Sequence, residues 1–160
     1  MITARKIGAT VAFTGAIVFS LVLIAWPNLH RYRQLLFVDS ALYGNVGRMK
    51  LLLALGADVN KFECQTPRCL TPLIAAAETG QYEAAQLLLE RGADVNKRMK
   101  RGQTALMFAS YHGHIDVGRL LLASGADVNA DFEGDTALSW AKQKDHAEIV
   151  NLLITSGATR

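Results

Sequence analysis

Three phrases return in register along this chain, and that repetition constrains its fold more than any other feature. Gly-Ala-Asp-Val-Asn starts at Gly56, Gly92 and Gly125, and a remnant, Gly-Ala-Thr, starts at Gly157. The intervals are 36, 33 and 32 residues. In step with it come Thr71-Pro72-Leu73, Thr104-Ala105-Leu106 and Thr136-Ala137-Leu138. An aliphatic triplet keeps the same time at Leu51–Leu53, Leu87–Leu89, Leu120–Leu122 and Leu152–Ile154. Self-similarity at a period of about 20–50 residues marks a stacked repeat architecture.

Each phrase has a physical task. The Thr hydroxyl is a natural N-cap for an orphan backbone N–H, and Pro72 suits the first helical position, where no N–H is needed. A short helix rich in small residues follows, as at Ala75–Ala77, and lets neighbouring helices approach closely. Gly44, Gly80 and Gly113 then supply a left-handed turn, with Asp145 in the fourth repeat. The next helix sets Val117, Leu120 and Leu121 at i, i+3 and i+4, one apolar stripe. Gly56, Gly92, Gly125 and Gly157 stop that helix at its C′ position. One such pair cannot bury its apolar face alone, so the pairs must stack.

These phrases resemble the ankyrin repeat over residues 34–158, as four repeats at about 34–60, 61–96, 97–129 and 130–160. The resemblance implies an all-α solenoid of helix–turn–helix pairs with β-turn fingers. It also implies protein recognition through a concave face of finger tips and exposed ends of the first helices. Those positions correspond here to Tyr43, Glu78, Thr79, Tyr111, His112, Gln143 and Lys144, with Tyr111 the strongest anchor. Trp140 falls where the family carries an apolar packing residue and is expected in the core. The first repeat lacks the Thr phrase and runs Gln34-Leu35-Leu36-Phe37, as a cap would. The His that usually follows Thr-Pro-Leu is replaced by Ile74, Met107 and Ser139. The finger between Asn60 and Thr71 is three residues longer than the one between Asn96 and Thr104, and it holds both cysteines.

Ahead of the repeats, Ile7 to Trp26 carries no charge. At about 1.5 Å per residue this stretch spans roughly the 30 Å of a bilayer core. It is too long for the apolar region of a cleaved signal, no small-residue cleavage site ends it, and it lacks the polar stripe of a core helix. The expectation is a basic tail at 1–6, a transmembrane signal-anchor helix at 7–26 and a linker at 27–33, in a single-pass membrane protein. Arg5 and Lys6 precede the span while Arg31 and Arg33 follow it. The basic tail favours the N-terminus inside and the repeats periplasmic or otherwise extracytoplasmic; the alternative puts the repeats on the cytoplasmic side. Gly8, Ala12 and Ala16 form a small-residue stripe that suits weak self-association in the membrane, or simply reflects how common such residues are there. Without the four flanking cations the net charge of +3 becomes −1, so the domain offers no basic face for nucleic acid.

Cys64 and Cys69 lie in the long finger. A disulfide, two free thiols, or half of a zinc site all fit their spacing, the disulfide requiring an oxidising compartment. His112, His114 and Asp116 cluster, but two ligands on a helix turn do not make a metal site. One finger is basic, with Lys97, Arg98, Lys100 and Arg101 ahead of Gln103; the next is acidic, with Asp131, Glu133 and Asp135 around Phe132. They are either solvated tips or a charge-patterned recognition edge to which Phe132 adds an aromatic contact. No nucleophile elbow, zinc-protease pair or phosphate loop is present, and no catalytic residue or cofactor is expected. The functional expectation is a membrane-tethered module that binds a protein. The alternative is a membrane-bound immunity or stress factor that shields a partner, and an enzyme has the least support.

Overall fold

The computed structural model describes residues 30–64 and 69–159. The chain divides into two compact units, residues 1–33 and 34–160, and the second carries the repeats. The tail at 1–6, the apolar stretch 7–26 with its Gly8, Ala12 and Ala16 stripe, and all but the end of the linker lie outside the described residues. Among the described residues no helix is long and apolar enough to cross a membrane.

The described residues form helices and turns. Helix α1 covers residues 30–42 and is followed by α2 (Val46–Ala54), α3 (Pro72–Thr79) and α4 (Tyr82–Glu90). Then come α5 (Ala105–His112), α6 (Ile115–Ala123), α7 (Ala137–Gln143) and α8 (Ala147–Thr155). The β structure among them consists of two isolated antiparallel bridges, Glu63 with Leu70 and Phe132 with Asp135, both in fingers. α3, α5 and α7 pack in one row, and α2, α4, α6 and α8 in another.

The Thr phrases start the inner helices as their chemistry requires. The Oγ1 atoms of Thr71, Thr104 and Thr136 accept from the N–H groups of Ile74, Met107 and Ser139 at 3.2, 3.4 and 3.3 Å. All three threonines are buried, so an unmet N–H there would be costly. The positions where the family usually has His are filled in two ways. Ile74 and Met107 are buried core residues. Ser139 Oγ instead accepts from the Thr136 N–H at 2.9 Å and completes a capping box. Ala76, Ala109 and Ala141 sit at the same register of the three inner helices and are fully buried, which allows the close approach of the row. Val117 and Leu121 lie in the core and Leu120 packs against it from a half-buried place.

The Gly turns carry two demands at once. Gly80 and Gly113 have φ of 73° and 74°, in the left-handed region. In addition, a Cβ on Gly80 would stand 2.6 Å from Nδ1 of His114, and one on Gly113 would stand 2.8 Å from Cε1 of His146. Each histidine ring therefore lies in the turn of the preceding repeat. Its Nε2 carries the proton and donates to a carbonyl there: His114 to Glu78 and His146 to Tyr111, both at 3.1 Å. Asp145 meets the same backbone demand at φ 57°.

A second seam runs along the finger bases. The side-chain amide of Asn60 donates to the Gly92 carbonyl at 3.1 Å, and its Oδ1 accepts from the Asp94 N–H at 2.8 Å. Asn96 repeats this with Gly125 and Asp127, and Asn129 with Gly157 and Thr159. Gln34 does the equivalent work in the capping repeat, bonding the Asp58 carbonyl at 2.9 Å and its N–H at 3.0 Å. The Asp of each phrase turns the chain, Asp94 Oδ1 accepting from the Asn96 N–H at 3.0 Å. Every polar residue of Gly-Ala-Asp-Val-Asn thus has a partner, and the Asn partner sits one repeat away.

Candidate binding cleft

The inner helices and the fingers enclose a cleft of about 320 Å³, lined by Cys69, Met99, Lys100, Arg101, Gln103, Phe108 and Trp140. Its floor comes from one register position. The fourth residue of α3, α5 and α7 is Ala75, Phe108 and Trp140 in turn, so the row steps from small to large. The Phe108 and Trp140 rings meet edge to face at 5.8 Å, a favoured aromatic geometry. Trp140 is half-buried and also meets Tyr111 at 5.7 Å and Phe132 at 6.3 Å.

The long finger and the basic finger wall the cleft, and each of the three fingers is closed by its own hydrogen bonds. In the basic finger the Met99 N–H donates to the Gln103 carbonyl at 2.8 Å, and the Gly102 N–H to the Met99 carbonyl at 2.9 Å. This turns Lys100 and Arg101 out at an exposed tip. In the acidic finger Phe132 and Asp135 exchange two backbone bonds of 2.8 Å around Glu133 (φ 52°) and Gly134 (φ 89°), a tight two-residue hairpin. In the long finger Glu63 and Leu70 exchange bonds of 2.9 and 3.1 Å. Just inside that pair the sulfurs of Cys64 and Cys69 are joined at 2.11 Å, and Cys69 is buried on the cleft wall.

The residues expected at the recognition surface divide into three groups. Lys100, Arg101 and Gln103 come together in the cleft. Tyr111, His112 and Lys144 form an adjoining ridge, with Lys144 Nζ 4.5 Å above the Tyr111 ring and the His112 ring 4.9 Å from it. The others do not line the cleft. Arg98 donates to the Asp131 carbonyl at 2.8 Å and so ties two fingers together, as Lys97 does by lying 5.6 Å over Phe62. The Thr79 hydroxyl reaches the Leu42 carbonyl at 2.7 Å, and the Glu78 carbonyl receives His114. Asp135 Oδ1 accepts from Ser139 Oγ at 3.1 Å, and Glu133 holds its hairpin turn. Tyr43 and Gln143 are exposed away from the lining.

Two expectations are corrected. Phe132 is half-buried rather than an outward aromatic: its ring lies against Trp140 and over Gly102, where a Cβ would come within 3.3 Å. Trp140, expected in the core, packs against it but is only half-buried, and it also floors the cleft with Phe108. Of the His112, His114 and Asp116 cluster, His114 is held in an inter-repeat bond. The sequence reading missed Phe108, Met99 and Cys69 as lining residues. The change from Ala75 to Phe108 to Trp140 at one register was the available signal.

Two family models match the chain, both described as ankyrin repeats, one over residues 96–159 and one over residues 73–118. The 2-5A-dependent ribonuclease of Mus musculus is 36% identical over 83 residues, which cover 49% of this chain and 11% of that protein. The human (Homo sapiens) ankyrin repeat and KH domain-containing protein 1 is 44% identical over 109 residues, 64% of this chain and 4% of that protein. The chain therefore spans only a small part of these relatives. The two family models jointly run from residue 73 to residue 159, more than half of the 160 residues, and the chain belongs to the ankyrin-repeat family.

Proposed function

We propose that this chain is a protein-binding module that holds one partner against its concave cleft and is tethered to a membrane by residues 7–26. The observation that carries the reading is the edge-to-face pairing of buried Phe108 with half-buried Trp140 on the floor of a cleft that Lys100 and Arg101 also line. Aromatic anchors beside Arg are the residue types on which interface energy concentrates. The Asn bonds hold the finger bases and the His bonds hold the turns between helices before a partner arrives, which lowers the ordering cost of association. The uncharged stretch from Ile7 to Trp26 and its basic flanks support the tether. The joined Cys64 and Cys69 favour an oxidising, extracytoplasmic side for the repeats.

The test is partner capture from native membranes by the full chain, wild type against the Tyr111→Ala, Arg101→Glu double variant. The variant is expected to lose the partner while its helical circular dichroism and unfolding midpoint stay near wild type. Undiminished capture would remove this face from the reading. A reporter fused at the C-terminus fixes the side of the membrane: activity only outside the cytoplasm agrees with the proposal, and cytoplasmic activity reverses it.

A further inference from the structure

We infer that the cleft takes an acidic peptide segment bearing one large apolar side chain, which enters between Met99, Phe108 and Trp140 while flanking carboxylates face Lys100 and Arg101. This rests on the protein-binding reading above and names the partner's chemistry.

Size sets the first limit. A space of about 320 Å³ lies at the small end of ligand pockets, room for one large side chain with its flanking backbone. The floor is apolar and aromatic, so the group it accepts is apolar.

Charge sets the second. Three of the nearby cations already have neighbours: Lys97 lies over Phe62, Arg98 holds the Asp131 carbonyl, and Lys144 lies over Tyr111. Lys100 and Arg101 are the cations that line the cleft. Two cations suit a pair of carboxylates. They do not suit a nucleic-acid strand, whose affinity grows with the number of phosphates neutralised. The next finger would also repel a polyphosphate, since Asp131, Glu133 and Asp135 are exposed there. A short acidic peptide places its charge only where the two cations are.

Hydrogen bonding adds a third point. The Oε1 of Gln103 is buried in the cleft wall with no donor from the protein. A rotation of that amide offers an acceptor to a backbone N–H of an extended peptide, which would relieve a buried unmet group.

The probe is a fluorescent nine-residue peptide of Ser and Gly with one central Phe and a single Glu on each side of it, titrated by anisotropy against the full chain. Saturable binding is expected, weakened roughly tenfold when the peptide's Phe becomes Ser. Lys100→Glu with Arg101→Glu should weaken it by roughly thirtyfold or more, and rising salt should weaken the wild-type complex. Trp140→Leu, which keeps an apolar side chain on α7, should weaken the Phe peptide and leave the Ser peptide unchanged. Equal binding of the two peptides, or binding indifferent to the charge reversal, overturns the inference. A single-stranded oligonucleotide of equal charge that binds more tightly than the peptide also overturns it. If membrane capture through Tyr111 and Arg101 succeeds while every acidic peptide fails, this inference falls alone. If capture fails as well, the module reading falls with it.

Discussion

At the bases of the fingers, successive repeats do the same thing; along the concave row they do different things. Asn60, Asn96 and Asn129 each bond a carbonyl and an N–H of the next repeat, with distances that agree within about 0.2 Å. Ala75, Phe108 and Trp140 share one register and differ in size at every step. The contrast separates two kinds of residue. A seam residue has its partner one repeat away, so a change in it loosens the stack. A row residue takes no part in the Asn and His seams, so its size can vary without touching them, and Phe108 and Trp140 supply the floor of the cleft.

The sharpest way to break that contrast is at the turns. Gly113→Ala forces a side chain into a left-handed turn and into the His146 ring, and should cost about 3 kcal/mol in urea unfolding. Gly92→Ala meets the same backbone demand at φ 82° but open space, and should cost only about 1 kcal/mol. Equal losses at the two sites would show that the ring is no part of the seam. Asn96→Ala removes both of its inter-repeat bonds and should cost about 2 kcal/mol by the same measurement, since each is worth about 1 kcal/mol. A loss confined to a few tenths would reduce the finger seam to decoration. Thr104→Ala leaves the Met107 N–H without its cap and should cost about 1 kcal/mol, visible as a lower unfolding midpoint. The smallest expected change in stability comes from the cleft. Lys100→Glu with Arg101→Glu should stay within about 0.5 kcal/mol of wild type, because both side chains are exposed at a finger tip. A large loss there would mean that the cleft, too, is part of the scaffold.

What could be read locally was read correctly at several points. The Thr caps bond within three residues, and the left-handed turns at Gly80, Gly113 and Asp145 concern one residue's backbone. The recurrence of these signals in register was enough to state four stacked helix pairs. The Asp-Val-Asn part of each phrase was visible as a pattern, but its work was not, because Asn96 finds its partners 29 and 31 residues onward. The same distance hid the seat of His146 on Gly113 and of Phe132 on Gly102, which made Phe132 look more outward than it is.

The sequence by itself determined the helix pairs, their caps and their stops, because those depend on hydrogen bonds and apolar stripes a few residues apart. Only the tertiary structure decided that Phe108, Trp140, Lys100 and Arg101 share one cleft, while Arg98 and Thr79 serve the stack. The physical reason is that a stacked repeat brings together equal registers of different repeats. Which side chain fills the space between two helices is fixed when those helices lie side by side, and not along either one alone.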